Sequence, residues 1–174
     1  MEIKQLDKKA YEGKNFIVQY KTNGYYDIFS TENGFKITHA AFATTQEKSF
    51  NDVFFGDWLE NPVAFGAFEN EDMIGYAEGS LESWNNRFRI SNICLFDDSN
   101  RGKGIGRMLM ETILKYVASL NVRMIVLETQ SCNENAVAFY KKMGFDIIGF
   151  DLYAYSNEDP EQHEIRIEMG KKLK

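Results

Sequence analysis

The clearest periodicity in the chain is helical and lies near its middle. One face of a predicted helix carries Ile105, Met108, Leu109, Thr112, Ile113, Tyr116, Val117 and Leu120. Glu111 and Lys115 are spaced to pair on its outer surface. Predicted strands at 87–95 and 122–127 flank this helix, and the second is almost wholly apolar. Strand, helix and strand together predict a right-handed crossover between two parallel strands.

A second helix follows the crossover. Ser131 and Glu134 have the spacing of a capping box, and Gly144 is placed to end the helix. The apolar face of this helix carries Ala136, Phe139, Tyr140 and Met143. Residues 146–155 and 164–169 then predict two final strands, with 157–160 as the loop between them.

The segment before the crossover reads mainly as antiparallel strands. Residues 63–69 and 73–83 flank the polar turn 70–72, and Asn85-Asn86 form a second turn into the strand at 87–95. Further towards the N-terminus, the pattern predicts short strands at 15–20 and 34–38, turns at Asn23-Gly24 and Asn33-Gly34, and a short helix at 50–59 closed by Asn61-Pro62. The predicted fold class is α/β, an antiparallel meander joined to one parallel crossover.

Composition narrows the class of protein. The 174 residues suit a single domain, and a hydrophobic content of 44% argues against disorder. Apolar runs are too short for a membrane span, the N-terminus lacks an apolar signal region, and two cysteines make no disulfide framework, so we expect a cytoplasmic protein. The net charge of −6 argues against nucleic acid as a partner and favours a cationic one.

A glycine-rich loop opens the first predicted helix. It reads Arg101-Gly102-Lys103-Gly104-Ile105-Gly106 and is followed by Arg107. A helix N-terminus offers free N–H groups, and glycine lets a phosphate approach the backbone closely, so this loop predicts a pyrophosphate cradle. A flexible basic loop is the structural alternative.

Two other nucleotide-binding motifs fit this loop less well. The glycines run G-x-G-x-G rather than G-x-G-x-x-G, although Glu128 falls where a dinucleotide fold would place its ribose ligand. A P-loop is excluded, because Gly104 stands after Gly102-Lys103 where that motif requires Ser or Thr.

This loop, followed by Asn133-x-x-Ala136-x-x-Phe139-Tyr140 and then Gly144-Phe145, resembles the GNAT superfamily of acyl-CoA-dependent N-acetyltransferases. Shorter segments at 15–18, 34–35, 82–87, 127–130 and 149–153 are similar to the streptothricin acetyltransferase subgroup. The resemblance implies the GNAT fold, a mixed, mostly antiparallel sheet with one central parallel βαβ crossover and splayed strands.

The resemblance also implies acetyl-CoA as co-substrate, with no metal. The pantetheine would lie between the strands at 89–95 and 122–128, and the 101–106 loop would hold the pyrophosphate by its backbone N–H groups, with Arg107 beside it. A single domain 1–174 would comprise an acceptor-side part at 1–62, an acetyl-CoA-binding core at 63–155 and a C-terminal loop and strand at 156–174.

Individual residues take family roles by the same resemblance. Asn133 would bind the pantetheine arm, with capping of its own helix as the alternative. Tyr140 would face the thioester sulfur and protonate the leaving thiolate, with a core position as the alternative. Backbone N–H groups near Leu95 and Phe96 would stabilise the oxyanion.

The identity of the general base stays open. Many relatives carry a glutamate on the central strand, whereas here Ser91 and Asn92 fall at that position, and neither is a useful base. Glu78, Glu82 and Glu128 remain as candidates, because a carboxylate can take a proton from the acceptor amine directly or through water.

The subgroup resemblance implies acetylation of the β-lysine amine of streptothricin and hence antibiotic resistance. Alternative functions are N-acetylation of another small amine, polyamine or protein lysine, and a non-catalytic CoA-binding module. Trp84 fits either hairpin packing or a wall of the acceptor site. A homodimer is left open.

Overall fold

The computed structural model describes residues 1–173. Its helices are α1 (Lys8–Tyr11), α2 (Ile105–Val117), α3 (Glu134–Lys142) and α4 (Asp159–Gln162). Its strands are β1 (Glu2–Gln5), β2 (Asn15–Thr31), β3 (Gly34–Val53), β4 (Val63–Glu69), β5 (Asp72–Glu82), β6 (Arg87–Leu95), β7 (Met124–Gln130), β8 (Asp146–Asp151) and β9 (Arg166–Lys172). Among the described residues, no helix combines the length and the apolarity needed to cross a bilayer.

The chain forms two compact units. The first comprises Met1–Gln19, Ser49–Val126 and the C-terminal residues from Lys172, and the second comprises Tyr20–Lys48 and Leu127–Lys171. In the first unit, β1, β4, β5 and β6 lie side by side with antiparallel pairing, and the start of β7 follows β6. The predicted α/β class, with a mostly antiparallel sheet and one parallel pair joined by a helix, is confirmed.

Helix α2 forms where the helical periodicity predicts it, and it packs on β4, β5 and β6. Its buried face holds Ile105, Leu109, Met110, Ile113 and Val117. Met108, predicted on that face, is exposed, so the buried stripe is rotated slightly towards Met110. On the outer surface Glu111 pairs with Arg107 at 2.8 Å, one turn earlier, rather than with the predicted Lys115.

The predicted hairpin of β4 and β5 is confirmed, and the next pairing contains a bulge. Glu78 on β5 lies opposite Asn92, but the next residue, Gly79, lies opposite Ile90. Ser91 is therefore an extra residue on β6 without a partner on β5. Such bulges bend a strand and re-aim the side chains beside them, often next to active sites.

In the second unit, the end of β7 lies beside β9, and β9 pairs antiparallel with β8. The strand predicted at 146–155 ends earlier, at Asp151, and the one predicted at 164–169 runs from Arg166 to Lys172. Part of the predicted loop 157–160 belongs to the single helical turn of α4, which Pro160 suits because proline favours a first turn.

Strands β2 and β3 are much longer than the short strands predicted at 15–20 and 34–38. The predicted turn at Asn33-Gly34 joins them, but the one predicted at Asn23-Gly24 is wrong, because both residues lie inside β2. Gly24 serves close packing instead. A Cβ there would come within 2.6 Å of Glu134 Oε2 and 2.7 Å of the Ala40 carbonyl oxygen.

The short helix predicted at 50–59 is also wrong. Residues 50–53 end β3, and turns follow. Phe55 has a left-handed φ of 54°, which no α-helix tolerates. The helical spacing of these apolar residues instead reflects packing in the first unit, where the Phe54 ring lies 4.6 Å from Phe16 and 4.5 Å from Tyr76.

The capping box predicted at the start of α3 is wrong as well. Asn133 is the N-cap, and its Oδ1 accepts from the Ala136 N–H at 3.2 Å. The Ser131 hydroxyl donates instead to the His163 carbonyl at 2.7 Å, and Glu134 Oε1 accepts from the Asn23 N–H at 3.0 Å. The predicted end of the helix is confirmed by Gly144, with a φ of 85°.

Candidate active site

The glycine loop leaves the N-terminus of α2 open. Gly104 is the N-cap, with a left-handed φ of 82° and no side chain to satisfy the first N–H groups of the helix. A Cβ at Gly102 or Gly104 would meet nothing within 4 Å, so the space above the backbone is empty. Because the helix dipole is positive here, this end of α2 is suited to an anion.

The basic side chains of the loop have partners within the first unit. Arg101 pairs with Asp98 at 2.6 Å and donates to the Gln19 carbonyl at 2.9 Å. Lys103 donates to Asn100 Oδ1 at 3.1 Å. These bonds fix the loop against its surroundings, and the exposed side chains keep positive charge near the helix start.

The end of β6 carries the two residues whose N–H groups the resemblance implies as oxyanion donors. The Phe96 N–H is already used, because it donates to the Ile74 carbonyl at 3.2 Å. Gly75 lies opposite Leu95 in the same ladder. Neighbouring N–H groups of a strand point to opposite sides, so the Leu95 N–H points away from β5. Leu95 is therefore the remaining donor of the pair.

Glu78 lies on β5 opposite the bulge of β6 and is only 1% exposed. Its Oε1 accepts from the Phe55 N–H at 2.8 Å, and its Oε2 lies 3.3 Å from the Ser91 hydroxyl. The left-handed backbone of Phe55 is costly for a bulky residue, and such strain clusters at functional sites. Here the strained residue directs its N–H at the carboxylate.

The environment of Glu78 raises its pKa. Burial is the largest cause, and the polar neighbours Tyr76, Phe55, Ser91 and Asn92 offset it only in part. The Tyr76 hydroxyl is buried beside the carboxylate and makes no hydrogen bond of its own among residues 1–173. Burial, and then the charge of Glu78, raises the pKa of Tyr76, which therefore stays protonated. A carboxylate with a raised pKa is suited to accept a proton near neutral pH.

Sequence reasoning missed Asp52, which lies near the end of β3. Its Oδ2 accepts from the Asn92 side-chain amide at 3.0 Å. Asn92 lies opposite Glu78 in the ladder, so it stands between two carboxylates. Asp52 reaches the site through its contact with Asn92, which lies 40 residues away in sequence. The sequence around Asp52 contains no motif that would identify it as a site residue.

Glu82, the second candidate base, is held between two arginines. Its carboxylate accepts from Arg89 Nε at 2.6 Å and from Arg87 Nε at 3.0 Å. Partial burial raises the pKa of Glu82, but the bonds and charge of Arg89, with Asn85 and Arg87, outweigh it and lower the pKa below its ordinary value. This geometry suits an ion-pair anchor better than a base.

Glu128, the third candidate, lies in the second unit at β7. The Arg166 guanidinium is 3.9 Å from its Oε2, and the carboxylate is about a third exposed. Its charge also helps to raise the pKa of Tyr155, after burial.

Tyr140 lies on α3 and is 7% exposed. Its ring centroid is 5.5 Å from that of Phe139 and 6.2 Å from that of Phe145. These contacts fit a core position for Tyr140. They also fit the role of proton donor, because a ring packed in this way can still present its hydroxyl at a site. On the same helix, Asn133 uses Oδ1 for its cap, which leaves the Nδ2 amide hydrogens as donors for a ligand.

Trp84 does not pack into the hairpin. It is 82% exposed, and the Arg87 guanidinium lies 5.9 Å from its ring centroid. Among residues 1–173, no three His, Cys, Asp or Glu side chains come together as a metal-holding group.

Comparison with known proteins agrees with this arrangement. Residues 24–145 match the acetyltransferase (GNAT) family. The chain is 28% identical over 139 residues to a streptothricin acetyltransferase of Escherichia coli, covering 80% of this chain and 77% of that one. It is also 28% identical to a streptothricin acetyltransferase of Streptomyces lavendulae, covering 94% and 89%. The crystal structure of nourseothricin acetyltransferase superposes with a TM-score of 0.78 at 23% identity, covering 99% of this chain and 98% of that one.

Proposed function

Since the chain belongs to the acetyltransferase (GNAT) family, we propose that it transfers the acetyl group of acetyl-CoA to an amine of streptothricin. One observation carries the acceptor assignment. Similarity to proteins named streptothricin acetyltransferase covers 80% of this chain for one relative and 94% for another, far more than the glycine loop alone. The net charge of −6 suits an acceptor that is itself a polycation.

Acetyl-CoA would be held through its pyrophosphate. The free N–H groups at the start of α2 and the empty space above Gly102 and Gly104 support this role. Positive charge near the pyrophosphate would come from Arg101, Lys103 and Arg107 and would attract it. Asn133 would donate its amide hydrogens to the pantetheine arm while its Oδ1 stays in the helix cap.

Acetyl transfer requires a neutral amine. A lysine-like amine has a pKa of ~10.4, so at neutral pH it must lose a proton before it attacks. Glu78 is the strongest of the three candidate bases, because burial raises its pKa, whereas Arg89 and Arg87 hold Glu82 ionised. The amine nitrogen then bonds to the thioester carbon, and the oxyanion would accept from the Leu95 N–H.

Collapse of the tetrahedral intermediate breaks the bond between carbon and sulfur. The thiolate would take its proton from the Tyr140 hydroxyl. Since a thiol has a pKa of ~8.5, the thiolate is already a fair leaving group, and the help it needs is modest.

Tyr140→Phe separates this role from core packing. The variant keeps the ring contacts with Phe139 and Phe145 and loses only the hydroxyl. We expect kcat to fall roughly 10–1,000-fold, with acetyl-CoA affinity nearly unchanged. Steady-state kinetics and calorimetry measure the two effects. Tyr116→Phe on α2 is the matched control, and turnover of Tyr140→Phe within a factor of two of the parent, with chemistry rate-limiting, would make Tyr140 a core residue.

Acceptor preference tests the proposed function. Purified protein is expected to acetylate streptothricin with a kcat/KM at least about tenfold above that for spermidine or a lysine peptide. The KM for streptothricin should rise with salt, because screening weakens the attraction between opposite charges. A preference for spermidine or the peptide in the thiol-release assay would assign a different amine. Release with none of the three, despite acetyl-CoA binding, would favour a CoA-binding module.

A further inference from the structure

The bulge in β6 places a serine between the buried carboxylate and the outside of the first unit. Glu78 is 1% exposed, too buried for an amine to reach directly, whereas Ser91 is half-buried. The Ser91 hydroxyl lies 3.3 Å from Glu78 Oε2 and 3.3 Å from the Glu78 carbonyl oxygen. Since Ser91 is the residue without a partner on β5, the bulge sets the position of its side chain.

We propose that Ser91 is the group that meets the acceptor ammonium and relays its proton to Glu78. This inference rests on the proposed function for the reaction itself, and it adds the residue that touches the acceptor. Ser91 lies at the strand position where many relatives carry a glutamate base. Here the carboxylate is that of Glu78 on the neighbouring strand β5, one hydrogen bond away from Ser91.

The relay moves the acceptor proton in two transfers. The acceptor N–H bond breaks, and its proton passes to Ser91 Oγ while the Ser91 hydroxyl proton passes to Glu78 Oε2. The freed lone pair of nitrogen forms the bond to the thioester carbon, and the electrons of the carbon–sulfur bond leave with the thiolate, which takes the Tyr140 proton. The nitrogen loses its second proton to solvent as the amide forms, and solvent restores the proton on Tyr140. Glu78 ends as a neutral acid and must lose its proton before the next cycle.

The contacts around the pair fit this role. The distance of 3.3 Å is long for a hydroxyl–carboxylate bond, as catalytic hydrogen bonds often are before substrate binds. Phe55 N–H holds the other carboxylate oxygen at 2.8 Å, which leaves Oε2 for Ser91. Three other titratable groups lie close by. Tyr76 on β5 neighbours the carboxylate, Asp52 on β3 accepts from Asn92, which lies opposite Glu78, and Cys94 on β6 acts on Tyr76.

The pH dependence of Ser91→Ala tests the relay. Below its pKa, the neutral fraction of the acceptor amine rises tenfold per pH unit, so at high pH the amine needs no relay. We expect kcat/KM for streptothricin to fall ~100-fold at pH 7 and to come within about threefold of the parent at pH 10. Ser91→Thr keeps a hydroxyl and should stay within about fivefold at both pH values.

Ser83→Ala is the matched control. It removes another serine hydroxyl that donates to a carboxylate in the same unit, 3.0 Å from Glu60 Oε2 at the turn after β5. Its rates should match the parent at every pH. A deficit of Ser91→Ala that stays constant from pH 7 to pH 10, or no deficit at all, would overturn the relay.

The same series on spermidine and a lysine amide separates the two claims. If the parent protein acetylates one of these but leaves streptothricin unchanged, the acceptor assignment fails. The relay is then judged on the amine that reacts, by whether the deficit of Ser91→Ala closes as pH rises.

Discussion

Glu78→Gln is expected to lower kcat for acetyl transfer ~10²–10⁴-fold at pH 7, the usual contribution of a general base. The glutamine keeps the size of the side chain and an oxygen for the Phe55 N–H, but it cannot take a proton. The parent should lose activity as pH falls through the raised pKa of Glu78. Steady-state kinetics across pH measure both effects.

Glu78→Gln should raise the stability of the protein at pH 7 although it lowers activity. Folding raises the pKa of Glu78, so between the unfolded and folded pKa values the native state binds more protons, and stability falls as pH rises through that window. Glu78→Gln removes this penalty, and its Tm at pH 7 should exceed that of the parent. Glu82→Gln should lower Tm instead, because it removes a carboxylate whose pKa folding lowers.

An exposed glutamate provides the control for activity. Glu71 lies in the turn between β4 and β5, and Glu71→Gln should leave both kcat and Tm near the parent values. If Glu78→Gln kept a kcat within a factor of three of the parent with chemistry rate-limiting, Glu78 would be a structural carboxylate.

Gly104→Asp is expected to weaken acetyl-CoA binding about 100-fold or more, a loss of roughly 3 kcal/mol. The new carboxylate would occupy the empty space over the start of α2 and repel the pyrophosphate. The backbone conformation adds strain of about 1–2 kcal/mol, because φ is 82°. Calorimetry with acetyl-CoA on the folded variant measures the affinity.

Gly13→Asp controls for the strain. Gly13 has a φ of 74°, and a Cβ there also meets nothing within 4 Å, so the two variants share the backbone penalty. It lies before β2 rather than at a helix N-terminus. We expect a similar loss of Tm with unchanged acetyl-CoA affinity. Equal affinity in Gly104→Asp and the parent would refute the cradle.

The parts of the fold that local pattern governs could be predicted from sequence. Helix α2 and the hairpin of β4 and β5 follow from spacing and turn residues that act over a few positions. The short helix predicted at 50–59 fails because Phe54 and Phe55 pack against Phe16 and Tyr76, which are distant in sequence. The turn predicted at Asn23-Gly24 fails because Gly24 makes room for Glu134, more than a hundred residues later.

The candidate site also contains residues that the local sequence identifies and residues that it does not. The glycine loop carries its own signal, since its conformation depends on glycine at positions with positive φ. Nothing local distinguishes Glu78 from Glu82, which lie four residues apart on one strand. Burial raises the pKa of both, but arginines on β6 outweigh it at Glu82 and lower that pKa, whereas at Glu78 burial prevails. Such choices depend on tertiary contacts and follow only from the structure.

The central claim is that this chain moves an acetyl group from acetyl-CoA to streptothricin. Mass spectrometry of streptothricin after incubation with purified protein and acetyl-CoA tests it most directly, with free CoA thiol measured in the same sample. We predict the gain of one acetyl group, located by fragmentation on the β-lysine amine, with one thiol released per acetyl transferred. Streptothricin of unchanged mass, in the presence of protein that calorimetry shows to bind acetyl-CoA, would contradict the account.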